Sequence, residues 1–315
     1  MNLGRIYRFA WRILPHLPRT LVYGGADIAA RVVARGNGGS VRQLRSNYAA
    51  LLGQDASQTM VRQGVQSYFR SFAEQFTLPG FSTAEIRQAC VYPGVETVHD
   101  LMKDGPVVLA LTHSGNWDMA GAWFSQGYGT VLTVAEKLEP PELFDEFVKF
   151  RNSLGLEIIG VGPGEHVFEQ LKDQARGRSV LVPLLADRDI SGSGVEVMLG
   201  SQAALVAAGP AALAEALDRP LIAGHISYRR FKGKWQLYFH FTDPIPRPTP
   251  GAGQSLVEAW TKAWVEAIAP LMQEHVVDWH MMQKLYVKDL DPARLERARK
   301  RALENRAEGN EREMQ

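Results

Sequence analysis

Through its first ninety residues the chain spaces apolar positions three and four apart, the period of an amphipathic helix. The pattern predicts helices over Leu21–Val33, over Val41–Leu52 with Ser40 as N-cap, and over Gln58–Phe76, where Val61, Val65, Phe69 and Phe72 share a face. Gly36-Asn37-Gly38-Gly39 stops the first of these and Pro79-Gly80 the last. From Gly105 the texture changes, and short apolar runs alternate with helical ones. Strands are predicted at Val107–Thr112, Val131–Ala135, Leu156–Val161, Val180–Leu185, Val195–Leu199, Leu221–Ser227 and Trp235–Thr242. Helices are predicted at Asp118–Gln126, Pro141–Leu154, His166–Ala175, Pro210–Leu217 and Ser255–Gln273. Short apolar strands separated by helices imply an α/β fold whose central, mostly parallel sheet is covered by helices on both faces. The last two strands, joined around Arg229–Lys234, are candidates for antiparallel pairing. No interior linker divides the chain, so residues 1–290 read as a single helix-rich domain. A charged tail, 291–315, follows; Asp291 is its N-cap and Pro292 its first helical residue, and a solvated helix is expected there.

Composition narrows the class. The 315 residues are 45 % hydrophobic and 22 % charged, a globular balance that excludes wholesale disorder. One cysteine excludes a disulfide framework and a cysteine-based metal cluster, and Cys90 reads as a small buried hydrophobe. A formal net charge of +1 argues against bulk nucleic-acid binding, but it hides an asymmetry: residues 1–45 hold eight arginines and one acid, Asp27. A basic end on a near-neutral protein points to an anionic partner for that end. No apolar run reaches the roughly 18 residues of a membrane span, and the amino terminus lacks the apolar core of an export signal. Instead Leu3, Tyr7, Ala10 and Leu14 fall on one helical face, with Arg5, Arg8 and Arg12 mostly off it. Two readings stand: an in-plane helix on an anionic membrane surface, or an amphipathic helix packed on its own domain.

Candidate chemistry gathers where strands end, the edge at which open α/β sheets carry their sites. His113 follows the strand Val107–Thr112 in LTHSGNWDMAG, and Asp118 lies five positions on, in the first turn of the next helix. A carboxylate there is placed to hold one imidazole nitrogen, leaving the other as a base. Spacing alone decides nothing. Eight histidines and 34 acids give about one such pair by chance, and a second, His99 and Asp104, precedes the strand on the opposite edge. Glu136 ends the next strand, and Asp187-Arg188-Asp189 ends Val180–Leu185, so three strand ends place His, Glu and Asp/Arg/Asp at one rim. Ser191-Gly192-Ser193-Gly194 is either an oxyanion- or phosphate-facing loop or a flexible turn. Arg151 closes a helix, as a charge-stabilising group or a dipole partner. Glu215 is the lone charge of GPAALAEAL, half exposed or aimed into the cleft. No nucleophile elbow, P-loop or strand-led dinucleotide motif occurs.

THSGNWDMAG, TVAEKLEPPELFDEFVKFRNSLGLEIIG, LLADRDISGSGVEV, GPAALA and VDWHMMQKLYVKDL resemble the bacterial lipid A lauroyl/myristoyl acyltransferase superfamily, from about Arg5 to about Asp291. The resemblance is nearest to its actinobacterial branch acting on phosphatidylinositol mannosides. It implies transfer of a palmitoyl-type chain from acyl-CoA to a mannose hydroxyl, at the cytoplasmic face of the plasma membrane, by a peripheral protein on an anionic phospholipid surface. It implies acyl-CoA as donor substrate, with no metal and no further cofactor. His113 would be the general base and Asp118 would orient it. Glu136 and Asp187 would bind the acceptor or support the base, and Arg151 and Ser193 would lie along the thioester and acyl groove. Trp117, Met119, Trp123 and Phe124 are candidates for the apolar slot, or for ordinary core. Two departures bear on substrate detail: Gly200-Ser201-Gln202-Ala203 stands where relatives carry Gly-Glu and a basic residue, and Asp187 stands where they carry Glu. Transfer from an acyl-carrier protein to another glycolipid, and a non-enzymatic lipid carrier, are the competing readings; a carrier has no need of an oriented base.

Overall fold

The computed structural model describes residues 13–137, 141–162, 167–190 and 192–300, the side chains of 136 and 141–143 excepted. The helical opening forms as its periodicity predicts: α1 (Arg19–Gly36), α2 (Gly39–Leu52) and α3 (Gln58–Thr77). Ser40 does not cap α2, which starts one residue earlier behind an extended Gly38. Ser57 caps α3, accepting from the Met60 amide at 3.1 Å. α1 packs on α3, and Gln66 donates to Asp27 across the seam at 2.6 Å. On the outer side of α1, Leu21, Ile28 and Val32 remain 66, 65 and 61 % exposed. The basic helix expected around Arg5, Arg8 and Arg12 lies outside the described residues.

Three elements follow that the pattern does not predict: α4 (Thr83–Ala89), β1 (Cys90–Val91) and α5 (Val95–Met102). Cys90 is buried, as expected. The alternating half then runs β2 (Val107–Leu111), α6 (Trp117–Ser125), β3 (Thr130–Glu136), α7 (Pro141–Ser153), β4 (Leu156–Val161), α8 (Val167–Ala175) and β5 (Val180–Leu185). It continues β6 (Val195–Leu199), β7 (Gln202–Val206), α9 (Gly209–Leu217), β8 (Leu221–Phe231), β9 (Lys234–Phe241) and α10 (Leu256–Glu274).

Seven strands form one sheet in the order β1-β9-β8-β2-β5-β3-β4. All neighbours are parallel except β8 and β9, which form the expected antiparallel pair. β6 and β7 make a separate antiparallel hairpin, so Val195–Leu199 is not part of the main sheet. All of β2 is buried. Its alternation sends Val108 and Ala110 into a layer with Leu171, Leu213 and Trp264, and Val107, Leu109 and Leu111 into a layer with Met102, Met119 and Phe124. Helices thus cover both faces, which is why the strand reads as an unbroken apolar run.

β2 and β5 are neighbours in space although two strands lie between them in sequence. From β2 the chain crosses to β3 on one side; from β5 it returns past β2 to β8 on the other. Connections diverge at the β2/β5 boundary, the place where open sheets hold ligands.

The segment after Asp291 departs from expectation. Asp291 Oδ1 caps it, accepting from the amides of Ala293 at 2.9 Å and Arg294 at 3.2 Å. The helix over 292–300 is not simply solvated, because Arg294 pairs with Asp189 at 3.4 Å and Arg299 with Glu196 at 3.0 Å, while Ala298 is buried. No helix among the described residues is long and apolar enough to cross a membrane.

Candidate active site

β2 ends at Leu111, in register with Leu185 of β5, and the Ala186 amide still donates to the Leu111 carbonyl at 2.9 Å. Two residues further, the same register brings His113 opposite Asp187. They bond twice: the His113 amide to Asp187 Oδ2 at 3.0 Å, and Nδ1 to Oδ1 at 2.5 Å. Trp279 donates its indole N–H to the same Oδ2 at 2.6 Å. Burial by itself would raise the Asp187 pKa. Attraction to His113 and the hydrogen bonds from His113 and Trp279 outweigh it, so the carboxyl is held below its ordinary value. An ionised Asp187 accepts the Nδ1 proton, which leaves Nε2 as the basic nitrogen of a side chain that is 24 % exposed.

The expected partner is therefore corrected. Asp118 does not hold His113; its Oδ1 accepts from Arg151 Nε at 2.6 Å and its Oδ2 from Gln75 Nε2. The cause is the loop between them. Asn116 caps α6, accepting from the Met119 amide at 3.0 Å, and Asp118 lies inside that first turn with a side-chain exposure of 2 %. Arg151 reaches it from the end of α7, with its guanidinium over the Phe147 ring at 3.8 Å. The two residues expected on opposite sides of the reaction, Asp118 and Arg151, form one buried ion pair.

Gly115 makes the loop possible. Its φ is +56°, and a Cβ there would lie 2.5 Å from Ile226 Cγ2 and 3.0 Å from the Ile226 carbonyl oxygen. Its amide donates to the Asp278 carbonyl at 3.1 Å, and the His113 carbonyl accepts from the His280 amide at 2.7 Å. VDWH, part of a segment that carries the resemblance, is thus the second wall of the site. Beneath it lies a buried polar layer. Asp278 accepts from Ser67 Oγ at 2.6 Å and from the Tyr228 amide at 2.9 Å. Glu74 accepts from Tyr228 Oη at 2.6 Å and Asn116 Nδ2 at 3.2 Å, and burial pushes its pKa up to about 7. His280 contacts Ser67 Oγ through Nε2 at 2.9 Å, and burial pushes its pKa down to about 3.

His113 opens onto a cavity of about 1130 Å³ between the sheet and α6, lined by Leu109, Leu111, Trp117, Phe124, Leu181, Pro183, Phe239 and Phe241 among others. Asp118, Lys137, Arg151 and Arg188 are its charged lining. Of the expected slot residues, Trp117 and Phe124 line it. Met119 is core, and Trp123 stacks against Phe239 with ring centroids 5.8 Å apart.

Two expected site residues, Ser193 and Glu215, are not among the residues that line the cavity. Glu136 ends β3 at the right edge, but its side chain lies outside the described residues. Ser193 is in the loop before β6 and is not among the lining residues, and that loop turns its Gly192 amide onto Asp189 at 2.8 Å. Glu215 sits half-buried on α9, in the helix layer on the other face of the sheet. Ser201 serves structure instead, donating from the tip of the β6–β7 hairpin to the Ala50 carbonyl at 2.8 Å. His99 and Asp104 lie at the amino end of β2, as expected, with His99 Nδ1 on the Tyr128 carbonyl at 2.9 Å. Among the described residues no three His, Cys, Asp or Glu side chains converge as a metal site.

The residues missed from sequence are Trp279, Glu74 and Gln75. A signal existed for the helix: Ser67, Ser71 and Glu74 recur at helical spacing and are all buried, a polar stripe beside the apolar one.

The family model for bacterial lipid A biosynthesis acyltransferases matches residues 3–288. A phosphatidylinositol mannoside acyltransferase of Mycolicibacterium smegmatis is 33 % identical over 293 residues, covering 91 % of this chain and 92 % of that protein. The protein of the same name from Mycobacterium tuberculosis H37Rv is 33 % identical over 302 residues, 94 % of this chain and 92 % of its own.

Proposed function

This chain belongs to the bacterial lipid A biosynthesis acyltransferase family, and from that premise we propose that it moves a palmitoyl-type chain from acyl-CoA to a mannose hydroxyl of a phosphatidylinositol mannoside. The observation that carries the reading is an imidazole oriented by a buried carboxylate and opening onto a largely apolar cavity. The acceptor hydroxyl gives its proton to His113 Nε2 as its oxygen attacks the thioester carbonyl carbon. The tetrahedral intermediate collapses, the C–S bond breaks, and the imidazolium returns the proton to the departing CoA sulfur. Asp187 fixes the tautomer and stabilises the imidazolium, the role first assigned to Asp118. The developing oxyanion needs a positive field, and Arg188, which lines the same cavity, supplies it. The acyl chain lies along Leu109, Phe124 and Phe239. No covalent enzyme intermediate is needed.

The substrate class is supported by the relatives named for it. A peripheral position on an anionic phospholipid surface, at the cytoplasmic face of the plasma membrane, is supported by the arginine surplus of residues 1–45 and the exposed face of α1. The test is incubation with labelled palmitoyl-CoA and purified acceptors, followed by mass spectrometry of the lipid. Acylated phosphatidylinositol mannoside is the expected product. Transfer only from acyl-carrier protein, or only to another glycolipid, overturns the donor or the acceptor assignment, and the absence of any transfer overturns the reaction.

A further inference from the structure

β8 and β9 do more than close the sheet. β8 is in register with β2 at Gly224 opposite Leu111, and it runs on for seven residues to Phe231. At roughly 3.3 Å per residue the hairpin tip stands on the order of 20 Å beyond the end of β2. That is the same edge at which His113 opens, and the base of the hairpin, Ile226, Phe239 and Phe241, walls the cavity. The tip therefore projects beside the mouth of the site.

Its composition is unlike that of an ordinary turn. Residues 229–235 are all exposed and read Arg-Arg-Phe-Lys-Gly-Lys-Trp, with four cations, two large aromatics and no acid. Phe231 is 49 % and Trp235 37 % exposed. Among the described residues none of Arg229, Arg230, Lys232 and Lys234 has a carboxylate partner within ion-pair distance. The cations lie on rings instead: Arg230 over Trp235 at 4.8 Å, Lys232 over Phe231 at 5.4 Å, and Arg70 of α3 over the same Trp235 ring at 3.6 Å. The turn itself holds Lys232 at φ +48° before Gly233 at φ +78°. Two residues with positive φ joining antiparallel strands favour Asn-Gly, and a lysine there costs backbone energy. A cation thus occupies a tip position whose geometry disfavours it.

We infer that the β8–β9 tip is a contact for an anionic lipid surface, seating the mouth of the cavity against the bilayer with Phe231 and Trp235 at headgroup depth. Positive charge without a carboxylate partner fits an anionic surface, and exposed aromatics among cations fit its interfacial layer. The inference rests on the reading of the chain as an enzyme with a lipid acceptor, and it names which segment, besides the basic amino-terminal end, meets the lipid.

The experiment is co-sedimentation of the full chain with phosphatidylcholine vesicles, with and without about one-third phosphatidylglycerol, at low and high salt. Arg229→Gln with Arg230→Gln and Lys232→Gln should weaken partitioning onto the anionic vesicles about a hundredfold, and Lys232→Asn alone about fivefold. Asn suits the turn better than Lys, so Lys232→Asn keeps the hairpin folded and its loss of binding is not a loss of structure. Both variants binding as well as the parent overturns the inference while leaving the amino-terminal lipid surface standing. A parent that ignores anionic vesicles overturns both. A raised KM for acyl-CoA in the absence of vesicles assigns the cations to the donor's phosphates and also overturns the inference.

Discussion

Asp187→Asn isolates what the carboxylate does for His113, because the structure dictates how the amide must sit. Two N–H donors converge on Oδ2, the His113 amide at 3.0 Å and the Trp279 indole at 2.6 Å, while Oδ1 faces His113 Nδ1 alone. Asparagine has one acceptor. Placing its oxygen at the Oδ2 position satisfies both donors; flipping it sets an NH₂ against two buried N–H groups, at about 1–3 kcal/mol for each. The unflipped amide then points its NH₂ at Nδ1. His113 answers with its lone pair there and carries its proton on Nε2, so the nitrogen facing the cavity can no longer accept one. Loss of the correct tautomer is worth about 10³–10⁴ in kcat, or roughly 4–5 kcal/mol of barrier. KM should change little, since Asp187 is 1 % exposed and does not line the cavity. The assay is steady-state transfer from labelled palmitoyl-CoA across pH, with urea unfolding as a check on the fold. Raising the pH should not rescue the variant, because the proton is misplaced rather than in excess. His99→Ala, at the far edge, serves as the control that keeps its turnover. A folded Asp187→Asn protein that holds kcat within about threefold refutes the tautomer argument.

Two further predictions concern the walls of the site. Arg151→Met leaves the Asp118 carboxylate buried with only Gln75, so it should cost about 3–5 kcal/mol in urea unfolding, and adding Asp118→Asn should return part of that loss; strictly additive costs would mean the pair at 2.6 Å is not coupled. Glu74→Gln should flatten the pH dependence of stability: burial raises the folded-state pKa from 4.5 to about 7, so the native state keeps a proton the unfolded chain has lost, and stability falls as pH rises through that window. The difference between the two proteins should change by about 3 kcal/mol between pH 4.5 and pH 7, measured by unfolding at each pH, and parallel stability curves would refute it.

How far the fold could be read ahead follows from which residues announce themselves. The strands β2 and β5 are buried on both faces and bounded by turns, so their apolar runs stand out. α3 and α10 carry sustained helical periodicity. Thr83–Met102 was missed although Ser82-Thr83-Ala84-Glu85 spells a capping box, because two short helices and a two-residue strand give no period to follow. β7 was hidden by composition. Ala203 and Ala204 are weak strand formers that merge into the apolar run leading to α9, and only the Gly200-Ser201 turn marks the hairpin.

The site was half legible for a reason that lies in topology. Sequence places His113, Glu136 and Asp187 at strand ends, and therefore at one edge, but it does not say which strands touch. With the order unknown, the nearest acid along the chain, Asp118, is the natural partner for His113. The strand order 8-2-5-3 makes β5 the neighbour of β2, and the parallel register from Leu111 with Leu185 then carries His113 to Asp187 without any further adjustment. Sequence distance is 74 residues for the pair that forms and five for the pair that does not. Asp118 is still held at the cavity, but by a cation from α7, where its charge is balanced rather than offered to a proton. A parallel sheet thus turns register into chemistry. Shifting β5 by a single residue would reverse the side-chain alternation and carry Asp187 to the other face, so the buried alternation of Leu181, Val182 and Leu184 that fixes that strand also fixes the orientation of the base.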